Sequence, residues 1–331
     1  MRRRTALSLF SFLSLSSPVA TEPLPPGGGF SLPVMCALGR DCWTLNYPDM
    51  AEDSRVLDPA CGARSYDGHK GTDFAIRDTV AMRRGVNVIA SASGTVLRVR
   101  DGVADRRLRT ANDRSRVAGR ECGNGLVIDH GSGWETQYCH LRRRSVVVRP
   151  GQTVRRGQQL GKVGLSGRTE FPHVHLSIRH DGRVLDPATG RSVGSGCREK
   201  GRSLWKDAGA QAYAPFALYA VGFRSAGPSG DDIKADASSP KRLSADAAAL
   251  VLWAAAFGVR NGDRLSLRIV SPGGTVFFKH TVLLEKNQAW RMEFGGRNRP
   301  EKGLAPGVWR GTATLNRRRE SIRRSVSVEI E

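Results

Sequence analysis

Four of the seven histidines in this 331-residue chain lie in three short pieces. These are Asp67-Gly68-His69-Lys70-Gly71-Thr72-Asp73, Gln137-Tyr138-Cys139-His140-Leu141 and Pro172-His173-Val174-His175-Leu176. His173 and His175 are one residue apart within an apolar/polar alternation that continues to Ile178. In a strand, residues i and i+2 share a face, so both imidazoles would look into one pocket. His69 and Asp73 are four apart, but Gly68, Gly71 and Thr72 argue against a helix. We expect a glycine turn that presents His69 and a strand start that presents Asp73. The i, i+4 His-Glu-x-x-His arrangement of helical zinc sites is thereby excluded. Three ligands drawn from His and Asp, with one coordination position open, would suit a catalytic zinc ion.

His-x-x-x-Asp, a later His-Leu after a Tyr-containing strand, and a final His-x-His resemble the lysostaphin/LytM-type zinc endopeptidases, a family of peptidoglycan hydrolases. Asn124 to Gly131, Gly151 to Gln158 and Val184-Leu185-Asp186-Pro187 agree with it, and the likeness covers roughly residues 60 to 190. The resemblance implies that His69, Asp73 and His175 hold Zn2+. It also implies that His140 and His173 handle the water and the developing oxyanion, and that the substrate is the peptide part of peptidoglycan, cross-links or stems. Two stretches depart from the family pattern and bear on substrate preference: Gly167 to Pro172, and an Arg-rich insertion from about Asp101 to Arg120. We read His130 as structural, and His180 and His280 as solvated. A non-catalytic wall-binding or hydrolase-activating protein on the same scaffold is the competing function. A secreted protease acting on Gly-rich proteins would share the chemistry and differ in substrate.

These residues must be positioned by strands. Val86 to Ala90, Gly94 to Val99, Gly125 to Asp129, Trp134 to Cys139, Val146 to Arg149, Gly157 to Gly164 and His173 to Arg179 are short, bounded by turn residues and largely free of helical period. The fold class expected is all-β: a LytM-like β-sheet catalytic domain over 34–205, with Cys36 to Tyr66 as a loop-like, disulfide-pinned arm. An immunoglobulin-like β-sandwich follows over 212–331, read as an accessory binding module because it lacks a catalytic constellation. Ala247 to Trp253 is ambiguous between helix and strand, and the turn signals after it favour strand. Residues 21–33, rich in Pro and Gly, read as a linker with little to bury.

Met1-Arg2-Arg3-Arg4, a short apolar run and Ala20 describe a signal peptide over 1–20, so we expect export to the periplasm or cell envelope, or secretion. An uncleaved anchor is the alternative. No stretch is long enough for an integral membrane span. Six cysteines in an exported chain suggest disulfides, and six allow fifteen pairings. We expect Cys36 with Cys42, Cys122 with Cys139 across adjacent strands, and Cys61 with Cys197 tying the ends of the catalytic domain. Cysteine zinc ligands are the weaker reading, since no Cys-x-x-Cys occurs. The net charge of +21 and the pI of about 10.7 favour anionic partners, such as a cell-wall polymer bound through the basic surface. With 7% aromatic residues and no nucleic-acid module, nucleic acid is not expected.

Overall fold

The computed structural model describes residues 25–108, 110–199, 201–207 and 211–331, so the signal-peptide reading of 1–20 lies outside it. The first half contains β1 (Cys42–Asn46), β2 (Thr72–Ile76), α1 (Thr79–Arg84), β3 (Asn87–Ile89), β4 (Gly94–Arg100), α2 (Ala111–Ser115), β5 (Asn124–Gly131), β6 (Trp134–Leu141), β7 (Thr153–Val154), β8 (Gln159–Lys162), β9 (His173–His180) and β10 (Arg183–Leu185). The second contains β11 (Ala217–Arg224), α3 (Gly230–Ala235), β12 (Arg242–Leu243), β13 (Ala249–Val259), β14 (Arg264–Val270), β15 (Val276–Leu283), β16 (Gln288–Asn298), β17 (Gly307–Arg317) and β18 (Glu320–Ile330). Val146 to Arg149 joins no strand. Among the described residues no helix is long and apolar enough to cross a membrane.

The main sheet of the first half runs β1-β2-β9-β6-β5-β4-β7, with β10 paired to β9. Alternation along β2 and β9 sorts their residues by face. Phe74, Ile76, Val174, Leu176 and Ile178 enter one hydrophobic core with Trp134 and Tyr138, while Asp73, His173 and His175 take the other face. The same parity corrects the reading of His180. As the next even residue of β9 it turns inward, only 5% exposed, with its ring 4.4 Å from that of Trp134. His280 is exposed. His130 is structural, bonding the Ser93 carbonyl and Thr136 Oγ1. The loop-like arm contains a wholly buried strand, β1, at the sheet edge. The stretch 21–33 is also more than a linker: Phe30 is fully buried against Trp134.

The second half is a two-sheet sandwich, β11-β13-β16 against β12-β18-β17-β14-β15. β13 explains the ambiguity of its sequence, because it is buried on both sides. Leu250, Leu252, Ala254 and Ala256 enter the sandwich core with Leu265, Leu267 and Leu315. Trp253, Ala255 and Phe257 face outward into a third core, shared with Trp43, Leu45, Ala75 and Phe171 of the first half. A strand apolar on both faces has no period of two to read.

Polar ties reinforce this junction. The buried Arg64 guanidinium donates to the carbonyls of Thr44 and Ala214. Asp78 accepts from the Ala237 amide at 3.0 Å, Asp58 from the Tyr213 hydroxyl at 2.8 Å, and Arg107 pairs with Asp231. All three expected disulfides are present: Cys36–Cys42, Cys61–Cys197 and Cys122–Cys139.

Candidate metal centre

The register of three adjacent strands brings the chemistry to one level. Asp73 pairs with His175, and His175 pairs with Cys139. Directly opposed residues point to the same face, so β2 and β9 deliver Asp73 and His175 side by side. His69 comes from the turn before β2. The three functional atoms converge: His69 Nε2 to Asp73 Oδ1 is 3.2 Å, His175 Nδ1 to Asp73 Oδ1 is 2.8 Å, and the two nitrogens are 3.1 Å apart. Ligands on one tetrahedral ion with bonds of about 2.0–2.1 Å stand about 3.3 Å apart. These three residues form a group that could hold a metal ion.

Hydrogen bonding on the far side of each ring decides what these atoms are. His69 Nδ1 lies 2.7 Å from the Tyr47 carbonyl and must donate there, which leaves Nε2 as a bare lone pair. Ser177 Oγ donates to the Lys70 carbonyl and so accepts from His175 Nε2–H, leaving His175 Nδ1 bare. Two lone pairs and a carboxylate oxygen thus face one another in a buried site, an arrangement that repels itself unless a cation lies between them. Asn46 Nδ2 donates to Asp73 Oδ2 at 2.9 Å and holds the carboxylate in place.

His140 and His173 stand beside this trio. His173 Nε2 is 3.3 Å from Asp73 Oδ1, and its Nδ1 donates to the Phe171 carbonyl at 2.8 Å. The His140 ring lies 4.6 Å from that of His173 and 6.0 Å from that of His175. Regular alternation after Cys139 would send His140 to the opposite face. A backbone φ of 63° turns it back, a left-handed conformation that costs a non-glycine residue on the order of 1–3 kcal/mol. The Cys122 carbonyl accepts the His140 amide at 2.8 Å, and the Cys122–Cys139 disulfide locks that partner. His140 Nδ1 donates to the Ser166 carbonyl, so its Nε2 is the free acceptor.

The environment separates the two histidines. Burial, then the neighbouring His173 and His175, holds His140 well below the usual imidazole range. Burial opposes charge on His173 too, but the Asp73 carboxylate and the Phe171 carbonyl outweigh it and raise its pKa. Asp73 is held well below the carboxylate range: burial disfavours its charge, and the charge and hydrogen bond of His173 help to outweigh that cost. The two neighbouring rings are thus shifted in opposite directions, His140 down and His173 up.

The structure brings together all five residues singled out in the sequence. The two departures from the family pattern both line the cleft above them, Leu108 and Arg114 from the insertion and Arg168 to Phe171 from the other stretch. The supporting groups Asn46, Tyr47, Ser166 and Ser177 were not legible: each is a common residue whose role depends on a partner 20 or more residues away, Ser177 excepted.

Residues 67–187 match the sequence profile of peptidase family M23. This chain carries a peptidase family M23 domain. A peptidoglycan DD-endopeptidase of Vibrio cholerae, ShyA, is 34% identical over 118 residues, which is 36% of this chain and 22% of that protein. A Haemophilus influenzae protein named as an uncharacterized metalloprotease is 31% identical over 129 residues, 38% of this chain and 22% of that protein. The chain therefore spans about a fifth of the length of these relatives. Among solved structures, a zinc containing peptidase from Vibrio cholerae is similar at 27% identity and a TM-score of 0.34, covering 48% of this chain and 39% of that one. The M23 domain ends before β11, so the sandwich lies outside the matched region.

Proposed function

We propose that this protein is an exported zinc metalloendopeptidase that hydrolyses peptide bonds of peptidoglycan. The observation that carries the metal-dependent reading is the convergence of two bare imidazole nitrogens and one carboxylate oxygen, each held by a bond on its far side. His69, Asp73 and His175 would hold the zinc. The chemistry zinc supplies when bound is Lewis acidity, toward a peptide carbonyl and toward a water molecule. His140, kept neutral and with Nε2 free, accepts a proton from the attacking water. His173, biased toward its protonated form, supports the developing oxyanion and helps pass a proton to the leaving amine. The peptidoglycan substrate is carried over from the relatives, ShyA among them. The basic chain, at +21, would also favour an anionic envelope polymer.

Digestion of purified sacculi tests this. Soluble fragments with new amino termini, lost on chelation and restored by zinc, are the expected result. Binding to sacculi with no fragments released would assign the chain to the non-catalytic, wall-binding reading instead.

A further inference from the structure

The face of the main sheet that carries the histidines is also the face that the sandwich covers. Trp43, Ala75 and His173 stand level across β1, β2 and β9, and the first two belong to the core shared with the sandwich. The metal row of Asp73 and His175 is two residues further along, only about 6.5 Å away at the rise of a β-strand. The sandwich therefore ends at the edge of the site. A cleft of about 840 Å³ opens there, at the upper end of the size range of ligand sites. Its lining includes Lys234 of α3 and Gln288, Ala289 and Trp290 of β16, all from the sandwich.

This wall is built into the fold. The Trp290 indole N–H donates to the Tyr219 hydroxyl at 2.8 Å, and Tyr219 stacks on Phe257 in the shared core. The Lys234 ammonium stands 4.6 Å from the centre of the Trp290 ring. The segment bearing Lys234 is pinned to the first half by Arg107–Asp231, by Thr79 Oγ1 donating to the Ala235 carbonyl, and by the Ala237 amide on Asp78. The cleft has five lysine and arginine side chains and, Asp73 apart, three carboxylates. One of those carboxylates, Glu170, is already paired with Arg114.

We propose that Trp290 and Lys234 form a distal substrate subsite, in which the sandwich grips a carboxylate-bearing arm of the peptide whose scissile bond lies over the metal row. The indole supplies an apolar surface and orients the ammonium, and the ammonium selects the carboxylate. This deepens the peptidase reading and rests on it for the identity of the ligand. It also changes the standing of the second domain, from an accessory module to part of the substrate site.

The test uses the full chain and a soluble cross-linked stem peptide, prepared with its side-arm carboxylates free or amidated. Calorimetric binding to metal-free protein is measured for wild type, Trp290→Ala and Lys234→Gln, with Phe294→Ser, an exposed β16 residue outside the cleft, as control. Wild type and control should prefer the free carboxylate by about tenfold, the scale of one well-placed charge contact, and both subsite variants should lose that preference. With zinc bound, the same variants should raise KM by a similar factor and leave kcat within about twofold. Equal binding of the two peptides by wild type, or an undiminished preference in Trp290→Ala and Lys234→Gln, would overturn the proposal. So would a fall in kcat with KM unchanged, which would mark the pair as mere support for the shared core. Circular dichroism identifies a misfolded Trp290→Ala, and Lys234→Gln then decides alone. If zinc-loaded wild type cleaves nothing while the binding preference holds, the peptidase reading fails and the subsite stands.

Discussion

β9 and β13 are both central strands with both faces covered, and they are covered for different purposes. β9 gives one face to the core, through Val174, Leu176 and Ile178, and the other to chemistry, through His173 and His175. β13 gives one face to its own sandwich and the other to the first half of the chain, and both faces are apolar. The junction behind β13 is as closed as a domain core: Trp253 and Phe257 are fully buried in it. A strand that carries a site declares its two faces by their contrast. A strand that joins two domains does not, since each side asks for the same residue types.

The largest expected effect falls on the chemical face of β9. In His175→Ala, and likewise in His69→Ala or Asp73→Ala, elemental analysis should find the metal lost and peptidase activity should drop to background. Full activity in a metal-free His175→Ala protein would remove the metal mechanism altogether.

Next come His140→Ala and His173→Ala, which should keep most of the zinc while turnover falls roughly a hundredfold or more, the usual scale for a lost acid–base group. If either variant loses its zinc in proportion to its activity, that histidine belongs with the ligands and the division of roles drawn above is wrong.

On the other strand, Phe257→Ala removes an aromatic ring that stacks on Tyr219 and meets Phe171 edge-on. The expected cost is about 3–5 kcal/mol of stability, read by denaturant unfolding, with zinc content retained in the folded fraction. A stable two-step unfolding transition in wild type, with the sandwich melting separately, would contradict the shared core. So would a fragment of residues 25–207 that stays soluble and active, because it would expose Trp43, Leu45 and Phe171.

The smallest effect should come from Phe294→Ser on the neighbouring β16, where the side chain is 47% exposed. A change within about 0.5 kcal/mol is expected for such a surface position. A loss comparable to that of Phe257→Ala would mean that this face is also covered, and that β13 is not the special strand.

What the amino-acid sequence determined by itself is the strand that carries His173 and His175, while the family resemblance, not the spacing, singles out His69, Asp73 and His175 as the candidate ligands. Histidines one residue apart must share a strand face, and the glycines before Thr72-Asp73 mark a turn rather than a helix. Six cysteines allow fifteen pairings, and the tertiary structure brings Cys36 to Cys42, Cys61 to Cys197 and Cys122 to Cys139. Only the tertiary structure put His140 into the site, because alternation points it away and a left-handed φ, held by the Cys122 carbonyl, turns it back. Only the tertiary structure supplied the groups that fix each ligand's lone pair, since a backbone carbonyl such as that of Tyr47 leaves no mark in composition or spacing. The placement of the sandwich was equally hidden. Its contact with the site face depends on Trp43, Ala75 and Phe171 meeting Tyr219 and Phe257, and apolar residues do not say which apolar partner they will meet.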